Sequence, residues 1–186
     1  IVTLDTARTS LVDMYLSSDN FEEYTCETDI IAGINVANTF KLLKSITNND
    51  VLVMSINCKE FMNIEIHNES KKTCTKFALK LLDINENQIE VPDMTMTTIT
   101  PMASMDFQRI CRDMHNIGNI IEITREGTHL KLQCMGDFAN QETNIECTEE
   151  SPKISGEYSL RYMNIFTKAT SMCSTVQIMQ EEQNRF

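Results

Sequence analysis

The chain has 186 residues, room for one ordinary domain or two small ones. Hydrophobic residues make up 41% of it, enough to bury a core, which excludes a disordered tail. Lys and Arg number 16 against 27 Asp and Glu, a net charge of −11, which excludes a protein that binds nucleic acid over its whole surface but leaves room for local basic patches.

In chain order, Leu11-Val12-Asp13-Met14-Tyr15-Leu16 alternates as a short strand, and residues 24–30 read as another. Residues 36–46 switch to helical spacing, with Val36, Thr39, Phe40, Leu43 and Ile46 on one face. Strands over 51–56 and 61–66 flank a turn at 57–60, and a further strand covers 73–81. Residues 81–93 follow neither period and carry acids, amides and Pro92, so they mark a domain boundary lying along a surface. A second helix covers 104–117, with Phe107, Ile110, Cys111, Met114 and Ile117 inward, Asp106 in its first turn and Gly118 at C′. Strands 120–124 and 129–134 flank Arg125-Glu126-Gly127-Thr128 as a hairpin. A third helix, 158–169, carries Tyr158, Tyr162, Ile165, Phe166 and Ala169 as its stripe, and 175–179 alternates again.

The three helices read as copies of one unit. Lys41-Leu42-Leu43-Lys44 matches Arg109-Ile110-Cys111-Arg112, and Ile165-Phe166-Thr167-Lys168 keeps the second basic residue. A strand begins shortly after each, so helix, turn and antiparallel strands repeat. Lys41 with Lys44 and Arg109 with Arg112 are spaced i, i+3, and Arg161 with Lys168 i, i+7, which puts each pair on one side of a helix. Singly such a pair is a solvated face; three at one point of a repeat predict a positive surface within an acidic body, suited to a phosphate backbone.

No apolar run approaches ~20 residues, so no transmembrane helix is predicted. The chain begins at Ile1 and reads as an excerpt with both ends missing. Seven cysteines form no CxxC pair and the three histidines no close pair, which argues against a disulfide framework or a structural zinc site. The cysteines read as small core residues in a reducing compartment. Asp83, Glu86 and Glu90 read as a solvated acidic loop, and no metal and no cofactor are expected. No GxSxG, GxGxxG, P-loop or HExxH occurs. Cys111 and His115, at i, i+4, are the one thiol–imidazole pair that could serve a hydrolase, without an evident third orienting residue.

Several of these segments resemble one family. Phe107-Gln108-Arg109-Ile110-Cys111-Arg112-Asp113-Met114-His115-Asn116-Ile117-Gly118 and Leu160-Arg161-Tyr162-Met163-Asn164-Ile165-Phe166-Thr167-Lys168-Ala169-Thr170 are similar to two helices of the proliferating cell nuclear antigen (PCNA) family, the eukaryotic-type DNA sliding clamps. Leu4-Asp5, Leu11-Val12, Phe21 and Tyr24-Thr25-Cys26 resemble its early strands, and Gly33-Ile34-Asn35 with Lys41-Leu42-Leu43-Lys44 its following helix. Against the family pattern, about 35 leading residues and the last strands are absent, and the stretch between Ile145 and Leu160 is about a dozen residues short, read as a gap rather than a deletion.

The resemblance implies an α+β DNA-clamp fold: two similar domains of antiparallel sheet with helices on the inner face, forming a non-enzymatic ring. Clamp domains would cover 1–80 and 97–186, with a connector at 81–96. The ring would be a homotrimer around double-stranded DNA, independent of sequence, with Lys41, Lys44, Arg109, Arg112, Arg161 and Lys168 lining the hole. The alternative is a subunit of a heterotrimeric checkpoint-type clamp. Edge strands would join subunits through Phe77, Lys80, Phe138 and Ile145. Partners would be a clamp loader, DNA polymerase and other proteins with PCNA-interacting peptides. Leu4, Arg8, Thr9, Leu11, Ile89 and Val91 would seat those peptides, Arg8 and Thr9 departing from the usual His-Val. A divergent eukaryote or a large DNA virus would be the source, with a nuclear location or a cytoplasmic viral replication factory.

Overall fold

The computed structural model of the chain describes residues 1–5, 7, 9–83 and 95–181. The chain divides into two compact units: Ile1–Thr3 with Val12–Ile89, and Leu4–Leu11 with Glu90–Phe186. Strands β1 (Val2–Leu4) and β2 (Leu11–Asp13) form a two-stranded sheet.

The first unit is built on an antiparallel sheet ordered β3-β4-β5: Asp50–Ser55, Phe61–Asn68 and Thr73–Lys80. The period of two is clean in β4, whose Met62, Ile64, Ile66 and Asn68 are buried while the intervening residues are not. Helix α1 (Val36–Leu43) is capped by Asn35, whose side chain accepts from the Asn38 amide at 3.0 Å. Its Leu42 and Leu43 pack on Met62, Ile64 and Leu79. The buried face of α1 is therefore turned from the predicted stripe: Thr39 is buried, whereas Val36 and Phe40 are exposed. Residues 24–30 form no strand; they alternate in sequence but have no ladder partner to satisfy their backbone.

In the second unit, β6 (Thr98–Ala103) pairs with β9 (Thr175–Gln180), and β7 (Ile120–Met135) with β8 (Asn140–Ser159). Helix α2 (Ser104–His115) buries Phe107, Ile110, Cys111 and Met114, as its spacing predicts, against Ile121, Ile123, Leu130 and Leu132. Helix α3 (Leu160–Phe166) runs into a 3₁₀ segment, Thr167–Met172. It buries Leu160 fully and packs Met163 on the core, leaving Ile165 exposed, so this stripe too is rotated from expectation.

Two sequence expectations are corrected here. Residues 120–135 are one strand, not a hairpin. Gly127, at φ +55°, forms an irregularity in the β7–β8 register instead of a chain reversal. The buried Arg125 guanidinium bridges it, donating to the carbonyls of Gly127, His129 and Glu149. Strand β8 has partners on β7 before and after the irregularity. Gly118 is not the C′ residue, since α2 is capped by Asn116 and Gly118 lacks a positive φ. It is small because a Cβ there would lie 2.7 Å from the Met135 carbonyl oxygen.

Candidate nucleic-acid interface and partner groove

Burial of one side of each helix fixes what the other side presents. In α1, the inward Thr39, Leu42 and Leu43 leave Lys41 and Lys44 exposed. In α2, the inward Phe107, Ile110, Cys111 and Met114 leave Arg109 and Arg112 exposed. Both α2 cations have acidic neighbours: Arg109 Nη2 lies 3.0 Å from Asp106 Oδ1, and Arg112 Nε 3.6 Å from Asp113 Oδ1. These pairs are exposed and therefore weak, about 0–1 kcal/mol each, so a phosphate can compete for the guanidinium. Arg161 and Lys168 are exposed as well. They do not share the face of one α-helix, because Arg161 is in α3 and Lys168 in the 3₁₀ segment, where the angular period changes.

A second feature belongs to the Leu4–Leu11 loop and α3, both in the second unit. The Asp5 carboxylate accepts from the Thr9 amide at 2.7 Å, the Ser10 amide at 2.8 Å and the Tyr162 hydroxyl at 2.6 Å. These donors, Tyr162 foremost, hold the Asp5 carboxyl well below the usual carboxylate range. The same hydrogen bonds pin the loop beside the helix and leave an open groove of about 550 Å³. Thr9 and Leu11 line it on the loop side, and Tyr158, Tyr162, Met163 and Phe166 on the other. The Tyr162 and Phe166 rings stack with centroids 6.4 Å apart.

Of the residues expected to seat a partner peptide, the structure brings Thr9 and Leu11 to this groove. Leu4 is exposed but does not line it. Arg8, Ile89 and Val91 lie outside the described residues, as does most of the expected connector. The sequence reading missed the α3 wall. Its signal was Tyr162 and Phe166 at i, i+4, which were assigned to a core stripe.

The sequence profile described as "Proliferating cell nuclear antigen, N-terminal domain" matches residues 1–89, and "Proliferating cell nuclear antigen, C-terminal domain" matches residues 90–185. The chain belongs to the PCNA family. It is similar to a protein of Paramecium bursaria Chlorella virus 1 named "Probable DNA polymerase sliding clamp 1". The two are 37% identical over 98% of this chain and 74% of that protein. The antiparallel sheets and the helix–strand repeat described above are the PCNA fold, as the resemblance implied.

Within this PCNA-family chain, the burial of Cys111 argues against a thiol–imidazole nucleophile pair. Cys111 is fully buried, and desolvation pushes its thiol up to about 12, while His115 is exposed. Of the four residues expected at subunit contacts, Lys80 and Phe138 are exposed, the latter by 77%. Phe77 and Ile145 are half-buried and pack against their own units' cores. Among the described residues, β5 pairs only with β4, and β8 only with β7, so each keeps an open edge.

Proposed function

We infer that this chain is a DNA sliding clamp: a platform that encircles duplex DNA and tethers a polymerase to it, with no chemistry of its own. The observation that carries the reading is the succession of two PCNA halves over residues 1–89 and 90–185, each with a helix that turns a pair of basic residues to solvent. The viral relative is named a DNA polymerase sliding clamp, which makes DNA and a polymerase the partners to expect here. Viral DNA replication is the corresponding setting.

The ring is a homotrimer closed head-to-tail, the open edge of β5 adding to the open edge of β8 of the next subunit. A closed ring removes both unpaired edges at once. Phe77, Lys80, Phe138 and Ile145 flank that junction. Lys41, Lys44, Arg109, Arg112, Arg161 and Lys168 face the hole and touch phosphates through water or weak ion pairs, which carries no sequence preference. Client peptides dock at Leu4, Arg8, Thr9 and Leu11 with Ile89 and Val91, and the aromatic groove beside Leu11 extends that surface. A clamp loader opens the ring.

Primer extension by a polymerase that uses the clamp tests the DNA surface. Replacing all six basic residues by Ala should reduce stimulation and flatten its dependence on salt. Stimulation equal to the parent at every salt concentration would reject the assignment. Light scattering tests assembly: a trimer supports the homomeric ring, whereas a monomer that associates only with unlike chains supports the checkpoint-type alternative.

A further inference from the structure

On the face of the first unit's sheet opposite the core, three different metal-ligating side chains converge. Glu65 and His67 are two residues apart on β4 and therefore share a face. Cys74 on β5 stands directly opposite His67 in the antiparallel register. His67 Nε2 lies 3.1 Å from Glu65 Oε2 and 4.0 Å from Cys74 Sγ, and one ligand atom of each residue lies within 4.8 Å of the other two. Tetrahedral zinc with bonds of ~2.0–2.3 Å would set its N, O and S ligands ~3.3–3.6 Å apart. The trio needs only side-chain adjustments of about an ångström to meet that spacing.

We propose that Glu65, His67 and Cys74 form a zinc site that staples β4 to the edge strand β5. Imidazole with thiolate favours zinc over the hard cations magnesium and calcium, and the carboxylate completes a three-ligand set with a fourth position open to solvent. Cys74 binds as thiolate, its proton leaving to buffer. Val51 and Val53 of β3 stand opposite His67 and Glu65 and wall the other side with apolar surface. Lys76 Nζ, 2.8 Å from Glu65 Oε1, competes with the metal for the carboxylate but leaves Oε2 turned toward His67. A cross-strand ladder of His67, Glu65 and Lys76 alone would stabilise the sheet without a thiol; the exposed Cys74 beside the imidazole is what a metal adds a use for.

The test is calorimetric titration of the full chain, purified with chelator and reductant, with Zn²⁺, and optical titration with Co²⁺. The expected result is one equivalent of zinc per chain and a thiolate-to-cobalt charge-transfer band. His67→Ala and Cys74→Ser should each weaken binding by at least about tenfold, the low end of the effect of even outer-shell changes at metal sites. Cys74→His should keep the zinc and lose the band. Lys76→Ala should bind more tightly. Zinc should also raise the thermal midpoint of the parent and not of Cys74→Ser. Because Cys26, Cys58 and Cys173 are exposed too, a triple serine variant at those positions must keep both zinc and band. No stoichiometric binding by the parent, undiminished binding in His67→Ala, or a band that survives in Cys74→Ser would overturn the proposal.

Discussion

Asp5 and Tyr162 together position the Leu4–Leu11 loop, and their chemistry has a pH signature. The folded-state pKa of Asp5 is depressed, so its contribution is fully present above the unfolded value of ~3.9 and is lost as pH falls through the lower folded value. The thermal midpoint of the parent should therefore exceed that of Asp5→Asn at neutral pH. The gap should close progressively as the pH is taken below ~4. A gap that stayed constant to pH 2 would mean that the carboxylate charge does not hold the loop. Cys111 gives a second prediction. With its thiol buried and its pKa near 12, it should resist alkylation at pH 7–8 in the native state, while Cys26, Cys58 and Cys173 are modified. Mass-spectrometric mapping of the labelled peptides reads this directly, and rapid modification of native Cys111 would reopen the nucleophile reading.

Among elements, the β7–β8 ribbon depends on Arg125, whose guanidinium satisfies three carbonyls around the irregularity at Gly127. Arg125→Ala should destabilise the chain by about 1–3 kcal/mol per unsatisfied group left buried, measured by urea unfolding. Gly136→Ala should also be costly, because the new Cβ would stand 2.0 Å from the Ile117 carbonyl oxygen, a contact with backbone that cannot step aside. How far these elements could be read from sequence differs for physical reasons. The α2 stripe was legible because Phe107, Ile110, Cys111 and Met114 all bury on one core. The α1 stripe was misread because Val36 and Phe40 are apolar yet exposed, and periodicity cannot tell an apolar residue facing the core from one facing solvent. The Arg125-Glu126-Gly127-Thr128 turn was misread because a glycine at positive φ serves a bulge as well as a hairpin. Strand β6 was missed since Pro101 interrupts its pattern, although Thr98 and Thr100 are buried on one side.

At the scale of the molecule, the exposure of Lys41 with Lys44 and of Arg109 with Arg112 was legible because a charge at i, i+3 opposite a buried stripe has to face solvent, whereas the change to a 3₁₀ segment before Lys168 was not. The groove beside Leu11 was only half legible as a surface feature, since Thr9 and Leu11 came from the family pattern while the α3 wall depends on a tertiary contact between Asp5 and Tyr162. The proposed ring makes one demand on the edges: Phe77→Ala, or a charged residue at Phe138, should lower the solution mass from trimer toward monomer without unfolding either unit. The most direct measurement of the central reading uses topology instead of affinity. The purified chain is incubated with a linear duplex at low salt, bulky protein blocks are then fixed at both ends, and retention is followed after a step to high salt. A ring threaded on DNA should remain on the blocked duplex and slide off an open-ended one. It should be excluded altogether when the blocks are in place before it is added. Equal and salt-sensitive binding to all three substrates would contradict encirclement and leave only surface attraction to phosphate.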